Sequence, residues 1–360
     1  MSDFVATVIP HSSCTLGSSE VASVTAALAD QFVGPGPRSH LLERHWAKRT
    51  GRRYAFAVSS GFHALCLAVR ALDLLPGSLL ALPVMTCSAL AAAVRSSGHR
   101  IALTDLRTED LTIDAASIPR EAAAILAPHA YGAPVDVQAV AARGVPWIED
   151  CATSPATQTA RGPAGSSGTL AVFSFASTKY LAAGAGGLVL TDDSDLAARI
   201  GDLLDDTTVA HWDHERPPGF PGRLADLNAA LALAQSDRLE EFAAARRCLA
   251  AGYGRLLADH AKLILPPPHS GHSWYRYIVR TVPPAAPLAA ALRGQGIDAR
   301  DSVNQWIDQH HEGRGALCAQ PFAGAAPWRG HLLSLPIHPR LVAADVERVA
   351  SALLDALRSI

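Results

Sequence analysis

The sequence predicts an α/β protein with a mostly parallel β-sheet, followed by a smaller α+β domain. From residue 54 to 191, short apolar runs alternate with segments of helical periodicity, as is typical of strands buried on both faces of a parallel sheet. A helical pattern at 224–258 then leads to a proline-rich segment at 265–272, which is interpreted as a linker. We therefore expect a large domain over residues 1–260, including an N-terminal arm and the long helix, and a small domain over 261–360.

The alternation predicts each element of the large sheet in turn. Seven apolar runs are predicted as strands: 54–58, 79–83, 100–105, 123–128, 146–150, 170–175 and 187–191. Helical patterns at 62–73 and 86–97 separate the first runs, as crossovers between parallel strands require. In the small domain, a strand is predicted at 274–280 and helices at 287–294 and 342–358. Ligands on such sheets bind at the carboxyl ends of the strands.

Composition and charge favour a cytoplasmic enzyme. The chain has 360 residues, 49% of them hydrophobic, and a formal net charge of -2. Its six cysteines include no C-x-x-C pair, so we expect reduced thiols and neither a disulfide framework nor a zinc site. No apolar run is long enough for a membrane span, and residues 1–13 do not resemble a signal peptide. The basic cluster at 44–53 lies in an amphipathic helical pattern, so it is interpreted as a solvated face rather than a nucleic-acid site.

Three segments at the ends of predicted strands carry residues suited to one cofactor. In VSSGFHAL, a strand ends at two serines and Gly61 opens a helix, whose first N–H groups can hold a phosphate. In WIEDCATS, Asp150 ends an apolar strand, and in FSFASTKYLAAGAGG, Lys179 lies between hydroxyl side chains and glycines. Each feature alone has an ordinary explanation as a helix cap or a surface turn. Together they provide a phosphate site, a partner for a pyridine nitrogen and an amine for a Schiff base, as pyridoxal 5'-phosphate requires.

With these residues in view, the chain resembles the DegT/StrS-type sugar aminotransferases, a family of fold type I pyridoxal-phosphate enzymes. The family pattern F-S-F-x-x-x-K, followed by a glycine-rich turn and an apolar T-D-D strand, is matched by residues 173–193. Similar segments extend over nearly the whole chain: 9–21, 127–136, 148–154, 222–242 and 333–349. The resemblance implies a large domain with a mostly parallel seven-stranded sheet between helices, a smaller C-terminal α+β domain, and a homodimer with shared active sites.

The resemblance also implies roles for individual residues. Lys179 matches the Schiff-base lysine and Asp150 the partner of the pyridine nitrogen, so these two are the expected catalytic residues. The expected cofactor-binding residues are Ser60, Gly61, Phe62, His63, Cys87, Asp150, Thr153, Ser174, Lys179 and Arg223. Substrate contacts are expected from His211, Trp212, His214 and Arg300. No metal is expected, because the HWDH segment at 211–214 has no second ligand cluster to match it.

Several positions depart from the family pattern. Phe62 and His63 replace a threonine and a small residue that touch the phosphate, and Cys87 replaces an aromatic ring that stacks on the cofactor. The ring face is then covered by Phe62 or His63, or it is open to substrate. Thr153 replaces a glutamine or histidine, and Pro221 replaces an asparagine that reaches across the subunit interface. Losing one hydrogen bond to a phosphate costs about 1.5–3 kcal/mol, which several remaining contacts tolerate.

The predicted function is pyridoxal-phosphate-dependent conversion of a keto-sugar, nucleotide-linked or a cyclitol relative, to an amino sugar. Glutamate or a similar amino donor would supply the nitrogen, in specialised-metabolite, antibiotic or surface-glycan biosynthesis. The departures leave two alternatives: a divergent enzyme that uses the cofactor for another reaction on an amino acid or specialised metabolite, and a cofactor-binding sensor or partner subunit without turnover. We expect a cytoplasmic homodimer with no nucleic-acid or membrane partner.

Overall fold

The computed structural model of the chain describes residues 8–204, 219–318 and 321–359. These residues form ten α-helices: α1 (Ser18–Ala29), α2 (Pro37–Thr50), α3 (Gly61–Ala71), α4 (Ser88–Ser96), α5 (Val137–Ala141), α6 (Ser194–Leu204), α7 (Asp226–Asp237), α8 (Leu239–Leu257), α9 (Ala285–Gly294) and α10 (Ala343–Ser359). They also form fifteen β-strands: β1 (Tyr54–Val58), β2 (Leu79–Pro83), β3 (Met85–Thr86), β4 (Arg100–Thr104), β5 (Ala124–Pro128), β6 (Trp147–Asp150), β7 (Gln158–Thr159), β8 (Gly162–Pro163), β9 (Leu170–Ser174), β10 (Gly187–Thr191), β11 (Leu263–Ile264), β12 (Tyr277–Thr281), β13 (Gln305–Trp306), β14 (Leu317–Cys318) and β15 (Leu332–Leu335). None of the helices described is long and apolar enough to span a bilayer.

The main sheet of the described residues has the strand order β1-β10-β9-β6-β5-β2-β4-β14. From β9 to β14 all neighbouring strands pair in parallel, whereas β10 runs antiparallel to both β9 and β1. All seven strands predicted from the sequence are present, and the prediction of a mostly parallel sheet is confirmed. The predicted count of seven becomes eight, because the two-residue strand Leu317–Cys318 pairs with β4 at the sheet edge.

Helices cover both faces of this sheet, which explains why its strands are apolar along their whole length. Every residue of β2 and of β10 is buried. On one face, α3 packs against β9 and β10. On the other face, the fully buried Trp46 of α2 packs on Phe173 of β9, with ring centroids 4.6 Å apart. The indole N–H of Trp46 donates to Ser236 Oγ of α7 at 3.1 Å, so this large side chain is buried without an unsatisfied donor.

The long helix predicted at 224–258 is two helices in the structure. α7 and α8 meet at Arg238, whose backbone (φ -95°, ψ 6°) leaves the helical conformation. The second half of α8 packs with α9, α10 and the three-stranded sheet β11-β12-β15 in a separate hydrophobic cluster. The strand and the two helices predicted for this region are confirmed. The domain division at 260/261 stays a prediction.

The segment that contains β13 and β14 returns to the main sheet. β13 pairs with β3, and β14 pairs with β4. Trp328 and Ile307 of this segment are buried in the hydrophobic cluster on the α3 side of the main sheet. The segment therefore places residues from late in the chain beside the carboxyl ends of the parallel strands.

Candidate active site

A cavity of about 440 Å³ lies at the carboxyl ends of the main-sheet strands. Its volume is in the range of small-molecule sites, and strand ends are where such sheets bind ligands. The cavity brings together eight residues that the sequence predicts for the site: Gly61, Phe62, Cys87, Asp150, Thr153, Ser174, Lys179 and Arg300. Residues far apart in the chain therefore meet in one place, as the resemblance implies.

The first turn of α3 forms one end of the cavity. Ser60 is the N-cap of α3, and its Oγ accepts a hydrogen bond from the backbone N–H of His63 at 3.0 Å. A Cβ on Gly61 would lie only 2.6 Å from Ser174 Cβ, so glycine is required for the helix to begin against β9. This close approach puts the Ser174 hydroxyl beside the first N–H groups of a helix, which have no partner within the helix. Together they are suited to hold a phosphate.

Asp150 ends β6 and lines the cavity, with 6% of its surface exposed. Among the described residues, Ala152 N–H donates to Asp150 Oδ1 at 2.9 Å, and no donor is recorded for Oδ2. Burial raises the pKa of Asp150, although the Ala152 N–H and the nearby Lys179 and His129 oppose that shift. A cationic ring nitrogen placed against Asp150 would stabilise its charged form. The carboxylate is therefore suited to a protonated pyridine.

Lys179 lies in the turn between β9 and β10. Its backbone N–H donates to Ala176 O at 2.8 Å, and the side chain is half-buried and lines the cavity. The following chain returns to β10 through Gly184 and Gly186, whose φ values of 77° and 131° are accessible to glycine at low cost. No described Asp or Glu forms an ion pair with Lys179, so its amine is available to a ligand in the cavity.

A buried pair, His129 and Glu149, lies behind Asp150. His129 Nδ1 accepts the N–H of Val135 at 3.0 Å, so Nε2 carries the proton and donates to Glu149 Oε1 at 2.9 Å. Glu149 also accepts from the backbone N–H groups of Gly165, Ser167 and Gly168. Burial alone would raise the pKa of Glu149, but these donors hold it below its usual range. Cys151 lies close enough for a metal cluster with this pair, yet the Glu149 oxygens are already occupied by N–H donors.

The opposite side of the cavity comes from residues that sequence reasoning missed. Tyr131, Tyr275, Arg276 and Asn304 line it. Two residues of this region, Tyr131 (φ 55°) and Trp274 (φ 56°), have the left-handed backbone that is uncommon for bulky side chains and is found at functional sites. A sequence signal for Arg276 was its charge in the middle of the predicted strand WYRYIVR, where the second arginine, Arg280, lies at the end.

Not every predicted site residue lies in the cavity. The imidazole of His63 contacts Ser59 Oγ at 2.9 Å and Phe220 O at 3.0 Å, and burial lowers its pKa. Of the two side chains expected to cover the cofactor ring, Phe62 therefore lines the cavity and His63 is turned away from it. Arg223 is exposed and forms a backbone bridge with β1 outside the cavity lining. The predicted substrate residues outside the described parts of the chain are His211, Trp212 and His214.

The site fits pyridoxal phosphate by the chemistry of its side chains. Ser174 and the start of α3 suit the phosphate, the buried carboxylate of Asp150 suits the ring nitrogen, and the amine of Lys179 suits the aldehyde carbon. The close approach of Gly61 to Ser174 leaves no room for a side chain between the helix start and the serine hydroxyl, so both can contact one phosphate.

Comparison with known proteins identifies similar chains. The sequence profile of the DegT/DnrJ/EryC1/StrS aminotransferase family matches residues 15–354. The aminotransferase TlmJ from Streptoalloteichus hindustanus is 27% identical, with a TM-score of 0.88 over 98% of this chain and 99% of that one. DesV from S. venezuelae, solved with a ketimine intermediate, is 28% identical, with a TM-score of 0.85 over 93% of each chain. PseC from Helicobacter pylori, an aminotransferase of pseudoaminic acid biosynthesis, has the same fold at 21% identity, with a TM-score of 0.89 over 98% of this chain and all of that one.

Proposed function

Because the chain belongs to the DegT/DnrJ/EryC1/StrS aminotransferase family, we propose that it converts a keto-sugar to an amino sugar, with glutamate or a similar amino donor. The enzyme is a pyridoxal-phosphate-dependent aminotransferase. The observation that carries the proposal is the meeting of Lys179, Asp150 and Ser174 in one cavity at the strand ends. Another cofactor-based reaction and a silent cofactor binder are not favoured, because the family profile that matches residues 15–354 is that of aminotransferases and the similar chain TlmJ is an aminotransferase.

Different residues of the cavity would bind different parts of the cofactor. The start of α3 and Ser174 would hold its phosphate, Asp150 its ring nitrogen and Lys179 its aldehyde carbon. When bound, pyridoxal phosphate withdraws electrons from the carbon that carries the amino group and so makes that carbon acidic. Asp150 supports this by stabilising the positive charge on the ring nitrogen through its carboxylate.

Lys179 has a second task once the amino donor has replaced it. Its Nζ is then a free amine in a partly buried site, where it can take a proton from the donor carbon and deliver it to the former aldehyde carbon of the cofactor. With the keto-sugar bound, Nζ carries the proton in the opposite direction. Tyr275 and Arg276 line the same cavity, and the Tyr275 hydroxyl donates to the backbone oxygen of Thr178, next to Lys179, at 3.0 Å.

The proposal includes a homodimer in the cytoplasm. Large apolar side chains are exposed on α1, α2 and the loop between them, as at a surface that another chain covers: Val21, Leu28, Phe32, Val33 and Leu41. All six cysteines are free thiols, which suits a reducing compartment. Sedimentation of the purified protein tests the dimer, for which we expect twice the mass of the 37.7 kDa chain.

The amination itself is tested with the cofactor-loaded protein, L-glutamate and a panel of nucleotide-linked keto-sugars and keto-cyclitols. We expect one acceptor to yield an amine, with release of one 2-oxoglutarate per amine formed. The Lys179→Ala variant and reactions without donor are the controls. Keto acid released without any aminated acceptor across the panel would contradict the proposed substrate class.

A further inference from the structure

Arg276 is a buried cation that the fold leaves without an anionic partner. Only 6% of its surface is exposed, and no described Asp or Glu forms an ion pair with it. Its guanidinium lies over the ring of Tyr275, with Cζ 4.2 Å from the centroid, and Nη2 donates to the Tyr275 hydroxyl at 3.2 Å. Its buried Nε has no hydrogen-bond partner among the described residues. Burial lowers the pKa of Arg276, which reflects the cost of an uncompensated charge.

The second arginine of the cavity is already neutralised. Arg300 donates from Nε and Nη2 to the two oxygens of Asp298, at 3.1 and 2.8 Å. The same carboxylate accepts the backbone N–H of His11 at 3.3 Å. Asp298 is therefore engaged by Arg300, and the positive charge of Arg276 stays unpaired.

The position of Arg276 directs this unpaired charge to the cavity of the active site. Arg276 lines the same cavity as Lys179, and its backbone N–H is fixed by Tyr131 O at 3.2 Å. Among the described lining residues, Asp150 is the one carboxylate, and it ends a strand on the sheet side. Arg276 also borders a second, smaller cavity, lined by Tyr131 and Trp328 among others. An anion that enters the active site would thus meet a rigidly placed guanidinium.

We propose that Arg276, rather than Arg300, anchors an anionic group of a substrate, either a carboxylate or a phosphate, and so selects anionic over neutral substrates. A guanidinium presents two parallel N–H donors that match the oxygens of either group, and this match is what lysine lacks. The inference rests on the proposed function, since it concerns a substrate of the same cavity. Two substrates can supply the anion: the carboxylate of the amino donor, or the phosphate of a nucleotide-linked acceptor.

The experiment measures ligand binding to the cofactor-loaded Arg276→Gln and Arg276→Lys variants. L-glutamate is titrated by the bleaching of the visible cofactor band, and uridine diphosphate is titrated by calorimetry. The matched control is Arg280→Gln, which removes a charge from β12, the strand that follows Arg276; Arg280 stacks on Trp328 outside the active-site cavity. Because neither titration includes an acceptor, the result does not depend on whether a keto-sugar is the acceptor.

We expect Arg276→Gln to weaken one of the two ligands by about tenfold to a hundredfold, the usual loss for a charge-assisted hydrogen bond, with Arg280→Gln unchanged. A loss confined to glutamate assigns the donor carboxylate, and a loss confined to uridine diphosphate assigns the acceptor phosphate. Arg276→Lys keeps the charge and should lose affinity to a smaller extent. If Arg276→Gln fails to fold, the affinity of Arg276→Lys for the same two ligands tests the proposal. Unchanged affinity for both ligands, or release of the cofactor itself, would overturn the proposal.

Discussion

The two sides of the active-site cavity are built in different ways. On the sheet side, Gly61, Asp150, Ser174 and Lys179 each lie at a strand end, a helix start or the turn between two strands. On the opposite side, Arg276 and its neighbours are held by contacts between distant segments, such as the hydrogen bond from Arg276 N to Tyr131 O. The residues whose chemistry suits pyridoxal phosphate therefore lie on the regular framework of the sheet. The residue that we propose to select the substrate, Arg276, lies on the side that the framework does not determine.

Among the residues on the two sides of the cavity, Lys179 is expected to show the largest effect when substituted. We predict that Lys179→Ala lowers aminotransferase turnover by at least about 10³-fold, since it removes both the attachment point and the proton carrier. Reduction of the loaded protein with borohydride, followed by mass spectrometry, should place the cofactor on the peptide that contains Lys179. Lys262→Ala is the matched control, because Lys262 instead donates to Leu357 O far from the cavity. Full turnover in Lys179→Ala would contradict the roles of Lys179 as attachment point and proton carrier.

The buried hydrogen bonds of Glu149, which lie behind Asp150, are tested by substituting this residue. Glu149→Gln replaces an oxygen that accepts buried N–H groups with an NH₂ donor, and leaving such groups unsatisfied costs about 1–3 kcal/mol, so we expect the free energy of unfolding at pH 7 to fall by such an amount. The pKa of Glu149 is depressed in the folded protein, so its contribution is present above the unfolded pKa and is lost as the pH falls through the folded value. Urea unfolding at several pH values checks this. If the free energy of unfolding of Glu149→Gln depends on pH in the same way as that of the wild type, Glu149 is not a stabilising buried carboxylate.

Asp150, which follows Glu149 in β6, should have the opposite effect on the free energy of unfolding. Asp150 has a raised pKa through burial, so its charge destabilises the protein without cofactor. We expect Asp150→Asn to unfold no more readily than the wild type at pH 7 in the absence of cofactor, yet to lose roughly 10²-fold in turnover when loaded. Thermal unfolding and steady-state kinetics measure the two effects. Loss of stability together with unaffected turnover would show that Asp150 is a structural cap.

A smaller effect is predicted at the start of α3. The methyl group of Gly61→Ala would meet Ser174 at less than van der Waals distance, and overpacking of this kind costs about 1–3 kcal/mol. We therefore expect cofactor affinity to fall about tenfold, measured by titrating pyridoxal phosphate into the cofactor-free protein. Gly201→Ala is the control, since the added carbon meets nothing within 4 Å. Equal affinities for the two variants would contradict a phosphate site at this turn.

The difference between the two sides of the cavity also explains which site residues could be predicted from the sequence. Strand ends and helix starts have local signals, so Asp150, Lys179 and the start of α3 were identified from short segments. His63 was expected near the phosphate, but its two ring nitrogens find partners in Ser59 and in the carbonyl of Phe220, which no local pattern reveals. Arg276 and Tyr131 become neighbours only through the tertiary fold, so their part in the cavity could not be derived from spacing.

The absorption spectrum of the purified protein shows whether Lys179 and Asp150 form an aminotransferase site. The measurement adds pyridoxal phosphate and then L-glutamate to the wild type and to Lys179→Ala. We predict a visible band of lysine-bound cofactor in the wild type that glutamate converts to the near-ultraviolet amine form, and no lysine-bound band in the variant. A wild-type band that ignores every amino donor tested, or the same band in the variant, would contradict an aminotransferase site at these two residues.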